Sequence, residues 1–409
     1  MEPIYQLLLN QNLVTLDSRQ KIQNLSFDIK SIPYLHPKLR HTLRQMITCF
    51  QTPCQIKAIT PPITENEIKP LFRNLDQRIN QVEQSKLQKE LETMNKTYSF
   101  ELVTQTNANN ASNMNNTNDI VTIHFLVDSS NSTNAYMAAI LHAIHIFCSL
   151  IEYHYHGLVI YVCLDSTTRT LDFPKNLTDY DKIFQILHKK SAAFNVSGVT
   201  SRANKIIVLT KKEEIIKLLY HELVHFTELD FELTKQMVNF PWAIKNSKLN
   251  LSEAYAEFMS VIFYTAYVAI QLAGLYHFDP YDTYRELLTI EINYSLFLSS
   301  VILKFYDYDS NTVYHFFAGI GQKKYSPILV WEYILLRTIM LQHLNEMLEL
   351  VPDNYRVNAG ASVNIRKLLL RNNDLSDQMR LFIDKIHDLD DSSVLSVSYL
   401  MIDLDWNRI

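Results

Sequence analysis

His221, Glu222 and His225 stand in the stretch KLLYHELVHF, residues 217–226. On an α-helix, positions four apart lie on one face, one turn apart, so these two imidazoles can converge on a single ion. Zinc accepts such nitrogens at about 2.0–2.1 Å. Glu222 is rotated by about 100° from His221. It can flank an open coordination position without ligating the metal, where a general base for an attacking water belongs. The competing reading is a pair of core histidines with no metal. It leaves Glu222 as a buried carboxylate in need of a partner or a raised pKa. The pattern therefore predicts a Zn2+ cofactor held by His221 and His225, with Glu222 as the catalytic carboxylate.

A third ligand must come from elsewhere in the chain. A metzincin would carry Gly at position 228 and His or Asp at 231; Glu228 and Phe231 stand there instead. Glu228 and Asp230 follow His225 closely and are candidates for the metal or for a supporting contact. Downstream, NLSEAYAEFMS places Glu253 and Glu257 four apart at the head of an uncharged run, residues 258–276. Two carboxylates at the start of so apolar a helix require a metal or a cation.

This second stretch resembles the gluzincins, in which a second helix presents a Glu ligand followed four residues later by an acid. The resemblance implies Glu253 as third ligand. It implies that Glu257 binds the outer nitrogen of a ligating histidine and so sets its tautomer. It also implies a Tyr or His in the C-terminal lobe that stabilises the oxyanion; Tyr314, His315 and Tyr325 are the candidates. NVSGVTS (195–201), IIVLTKKEEIIKLLYHELVHFTELDF (206–231) and LSEAYAEF (251–258) further resemble the predicted zinc metallopeptidases of large nucleocytoplasmic DNA viruses. That pattern runs from an Asn-Val-rich turn through a strand, a Lys-Glu-Glu helix start and HExxH to a Leu-Asp-Phe tail, and it covers roughly residues 120–270. Thr210-Lys211-Lys212 departs from the Arg-Lys of the pattern.

The elements that must position these residues follow from periodicity. Thr210 and Glu213 suggest a capping box at the start of the HExxH helix. Residues 97–105, 119–128, 158–165 and 205–210 have strand composition, and residues 134–153 read as a helix. IIVLT, within the last strand, is expected at the sheet edge, pairing with an extended substrate. Residues 68–95 read as an amphipathic helix with Pro70 in its first turn. The Asn-rich segment 106–118 reads as a loop. Beyond residue 231 nearly everything is helical in pattern, with 251–276, 281–307, 327–350 and 364–387 the clearest pieces. The fold class is α+β and mostly helical: a zincin-like small sheet on the HExxH helix, with a helical C-terminal lobe. The expected organisation is a helical region 1–95, the sheet and active-site helix in 96–230, and the lobe carrying the third ligand in 231–409.

Composition bounds the function. Of the 409 residues 47% are hydrophobic and 20% charged, the profile of a globular chain. The net charge of −5 argues against a nucleic-acid partner. Four cysteines without a CxxC pair give no disulfide framework or thiolate zinc site. The N-terminus lacks a basic region before its short apolar run, so the expected setting is intracellular, in a host cytoplasm or virion, and not secreted. The run 258–276 is long enough to span a bilayer. Its flanks are acidic and it contains Gln271, which favour a buried core helix over a membrane segment. His142, His145, His154 and His156 lack acidic or Cys neighbours at ligand spacing and read as packing histidines. The whole reads as a zinc-dependent metallopeptidase acting on a peptide or protein substrate. The alternative is a zincin-like structural or interaction protein, such as a virion component, without catalysis.

Overall fold

The structure, a computed structural model, describes residues 31–73, 88–104, 119–128, 134–164, 198–210, 212, 214–235, 237–243, 248–305, 308–320, 331–371 and 373–383. The Asn-rich segment 106–118, residues 74–87 of the stretch 68–95, and Tyr325 lie outside these. The chain divides into two compact units; among the described residues, one holds 41–164 and 198–227, the other 31–40 and 228–383.

The first unit is built on a six-stranded mixed sheet. Its strands are β1 (Gln55–Ala58), β2 (Met94–Thr104), β3 (Asp119–Asp128), β4 (Val159–Cys163), β5 (Gly198–Ser201) and β6 (Ile206–Leu209), in the order β1-β2-β3-β4-β6-β5. The pairs β3/β4 and β4/β6 are parallel and the others antiparallel. β3 buries Val121, Ile123, Phe125 and Val127 at every second position and exposes Ile120, the period of a strand with one face on a core. Leu126, Cys163 and Val208 meet Ile68 and Phe72 on the other side of the chain's pleat. The unit's helices include α1 (Pro37–Gln51, from residue 41 onward), α2 (Glu65–Arg73) and α3 (Asn134–Leu150). The HExxH helix α4 (Ile215–Phe226) packs on α3, β5 and β6.

Several expectations change here. IIVLT is not at the edge: β6 lies between β4 and β5, and the edge strand beside it is Gly198–Ser201. Helix α4 starts at Ile215, after Glu214 at φ 54°, and no side chain caps it, so Thr210 is not its N-cap. The left-handed Glu214 stands directly before the helix, and burial of Ile215, Ile216 and Leu219 stabilises the first turn instead. Pro70 sits well inside α2, whose true start is signalled by Thr64: the Glu67 carboxylate accepts from the Thr64 N–H and hydroxyl. β1, inside the region read as helical, is a short exposed strand with no alternation to announce it.

The second unit is helical. α5 (Phe231–Thr234) and the small ladder of β7 (Met237–Asn239) and β8 (Lys248–Asn250) precede α6 (Leu251–Tyr276) and α7 (Pro280–Phe305). α8 (Val313–Phe317), a π-helix (Trp331–Leu336), α9 (Arg337–Gln342), α10 (Leu344–Leu350), α11 (Ala359–Leu369) and α12 (Asn373–Ile383) follow. α6 is long and apolar enough to cross a membrane by length and composition, and 89% of its most apolar window is buried within the protein. Apolar side chains around its full circumference are what a helix surrounded by α7, α9 and the π-helix requires. Two stretches read as continuous helices are broken. Residues 331–350 pass from π- to α-helix and turn at His343, and residues 359–383 part after Leu369. The apolar period carries on through both breaks, so periodicity alone conceals them.

Candidate metal centre

α4 is almost wholly buried. Its apolar residues Leu219, Leu223 and Val224 are fully enclosed, and His221 and Glu222 are 6% and 5% exposed. The helix presents the two imidazoles as the spacing requires, with Nε2 of His221 and Nε2 of His225 3.1 Å apart. Two ligands on one tetrahedral zinc, each at the usual bond length, stand about 3.4 Å apart. The pair thus has nearly the bite of a zinc chelate, and its donors are the neutral nitrogens that zinc prefers. On donor chemistry and spacing, these residues fit the metal.

Glu222 is held from the edge strand. Thr200 Oγ1 donates to Glu222 Oε2 at 2.6 Å and also reaches the Glu222 carbonyl at 3.1 Å. Gly198 lies against the same carboxylate: a Cβ there would stand 2.5 Å from Glu222 Oε1. Arg202, just beyond the strand, donates through Nε to the His225 carbonyl at 2.7 Å. Three residues of one short segment therefore set the HExxH helix at its base and at its second histidine. Sequence reasoning named none of the three. A usable signal was present, since a glycine in a strand marks close approach of another group.

In the helical unit, Glu253 lies in the first turn of α6, half-buried, and Glu257 is buried one turn later. Glu257 Oε1 accepts from Nη1 of Arg337 at 3.0 Å, and that arginine has no exposed surface. The cation that two carboxylates at the head of an apolar helix require thus includes a guanidinium. Arg337 was overlooked, although the lone charge in ILLRTIML (334–341) cannot be buried without a partner. Asp230, a rival for the metal, is fully buried and accepts from the Ser252 hydroxyl. Glu228, the other rival, has φ 59° and sits 3.9 Å from Arg356. Tyr314 and His315 lie on α8 with their rings 4.1 Å apart, Tyr314 half-exposed.

His142 and His145 are packing residues on α3, and among the described residues they gather no third ligand. His142 lies against Phe50, with ring centroids 4.4 Å apart, and burial pushes its pKa down to about 4. His145 is buried, and its pKa is lowered by the same desolvation. The four cysteines are all free thiols.

An uncharacterized protein of Acanthamoeba polyphaga mimivirus is 38% identical to this chain over 400 residues, a match that covers 98% of this chain and 99% of its relative. The chain belongs to the family of that mimivirus protein. The relative spans both units of the fold, so the family extends over the HExxH helix and the helical lobe alike. It is a viral relative, and its name assigns no activity. No family model matches the sequence, and no solved structure matches it significantly.

Proposed function

We propose that this protein is a zinc-dependent peptidase of gluzincin type on a zincin-like fold, acting on a peptide or protein substrate inside an infected cell or virion. The observation that carries the reading is the His221–His225 pair at chelate spacing, with a buried carboxylate between them in sequence and tied to the neighbouring strand. A core without metal has no use for that arrangement. It would hold a buried imidazole, a half-buried one and a buried acid close together, an arrangement that a shared metal ion stabilises.

His221, His225 and Glu253 would hold the ion. Zinc, when bound, supplies Lewis acidity at the substrate carbonyl and at water. Glu222 takes the proton of the attacking water at Oε1, because Oε2 is already engaged by Thr200, and it returns that proton to the leaving amine. The hydroxyl of Thr200 keeps the carboxylate from rotating, so its reach is set before substrate arrives. Gly198–Ser201, the edge strand, is the element that would pair with an extended substrate backbone; Tyr314 or His315 would donate to the oxyanion. Glu257 would steady the ligand helix through Arg337.

The test combines metal analysis with hydrolysis. Purified full-length protein should carry about one zinc per chain and cleave members of a fluorogenic peptide library. His221→Ala should lose the metal. Glu222→Gln should keep metal and fold and lose cleavage, since an amide cannot accept the proton. Loss of zinc in Glu222→Gln as complete as in His221→Ala would contradict the assigned role, and a zinc-loaded chain that cleaves nothing in the library would favour a structural zinc.

A further inference from the structure

We infer that Asp230 is a positioning residue for Glu253, acting through Ser252, and is not itself a metal ligand. The inference rests on the zinc reading above and assigns a role that the HExxH and ExxxE patterns do not contain.

Asp230 stands at the N-cap of α5, where an Asp ordinarily accepts from its own helix. Here its side chain makes no such cap. It accepts instead from Ser252, twenty-two positions away, with the carboxylate fully buried. A buried anion needs donors around it, and the Ser252 hydroxyl is one of them. Ser252 is the residue before Glu253, at the start of α6.

Neighbouring contacts close a circuit around the same turn. Tyr255, three residues after Ser252 and on the same side of the helix, donates its hydroxyl to the Tyr355 carbonyl at 2.7 Å. Two residues on, the Val357 N–H donates to the Leu229 carbonyl at 2.9 Å. Leu229 precedes Asp230, and the circuit returns to its start. Its corners use two left-handed residues, Glu228 and Tyr355, both at φ 59°. Such conformations are uncommon for non-glycine residues and persist only where surrounding contacts over-determine them. α6 is thus gripped at Ser252 and Tyr255, on either side of Glu253 in sequence. Two grips on one face fix both the rotation and the axial position of the first turn. Glu253 is rotated by about 100° from Ser252, so its direction is set as a consequence.

The circuit also explains why Asp230 follows His225 so closely. Five residues after His225 the chain reaches the acid that accepts from Ser252, the residue before the proposed third ligand.

The experiment is a double-mutant cycle on zinc affinity, read by competition with a chromophoric chelator on the full-length chain. Asp230→Ala should weaken zinc about 10–100-fold, the range typical of contacts that orient a ligand. Ser252→Ala should weaken it in the same direction, and Asp230→Asn, which still accepts from Ser252, should recover most of the loss. In the Glu253→Ala background, Asp230→Ala should change zinc affinity less than about twofold, because no carboxylate is left to aim. An undiminished loss in that background would overturn the inference and make Asp230 a ligand in its own right. Unchanged affinity in both Asp230→Ala and Ser252→Ala would overturn it also. If Asp230→Ala does not fold, Ser252→Ala, which removes one donor and keeps the carboxylate in place, carries the same cycle. Failure of the zinc reading looks different: the unmodified protein and His221→Ala would then bind zinc equally.

Discussion

Replacing Gly198 by alanine puts a methyl group into space that Glu222 already fills. The new Cβ would lie 2.5 Å from Oε1 and 3.0 Å from both Cδ and Cγ, against an ordinary contact of 3.4 Å or more. Something must move by nearly an ångström. The carboxylate is the end of a flexible side chain and would yield cheaply on a surface. Here it is 5% exposed, and its other oxygen is bonded to Thr200 at 2.6 Å. Swinging it aside loses a hydrogen bond to a charged acceptor, about 1.5–3 kcal/mol. Moving the strand instead disturbs the β5–β6 ladder at Gly198 and Leu209. Overpacking of this kind costs about 1–3 kcal/mol, which corresponds to a fall in Tm of about 2–12 °C for a unit of this size. Zinc content should be unchanged, because neither histidine is touched. Cleavage, by contrast, should fall by about 100-fold, the usual result of misplacing a reacting group by an ångström. The assay is differential scanning fluorimetry beside metal analysis and peptide cleavage. Glu222→Ala in the same chain should relieve the clash, so that Gly198→Ala costs little in that background. An equal loss of Tm with and without the Glu222 side chain would refute the reasoning, as would a Gly198→Ala protein as stable and as active as its parent.

Thr200→Val removes the hydroxyl that donates to Glu222 and should cost about 1–3 kcal/mol, while Thr200→Ser should retain most of the stability; thermal denaturation of the two variants decides it. Arg337→Met leaves the Glu257 carboxylate buried without its guanidinium and should destabilise by about 3–5 kcal/mol, whereas Arg337→Met with Glu257→Leu should recover most of that; urea unfolding of single and double variants measures the difference. His142 has its pKa lowered to about 4 in the folded chain, so between about pH 6.5 and 4 the unfolded chain binds the proton more readily. Its contribution to stability is present above this window and is lost as pH falls through it. His142→Gln should therefore flatten the Tm-against-pH curve over that range, and an unchanged slope would count against the assignment.

Much of the candidate site was legible along the chain because it depends on local geometry. The i, i+4 spacing places His221 and His225 on one helical face whatever surrounds the helix, and that spacing allows the 3.1 Å approach of their nitrogens. The same holds for β3, whose alternation yields its limits at residues 119 and 128, and for α6, whose end at 276 coincides with the end of the uncharged run. What tertiary structure alone decided is which distant residues complete each buried charge. Gly198 and Thr200 meet Glu222 because β5 folds back antiparallel onto β6, and that pairing moves IIVLT from edge to interior. Arg337 meets Glu257 across eighty positions, and Asp230 meets Ser252 rather than capping its own helix. Periodicity reports which face of an element is buried, but not what lies opposite that face. A buried carboxylate announces in sequence that it needs a donor, and only the packing of non-local segments determines which donor reaches it.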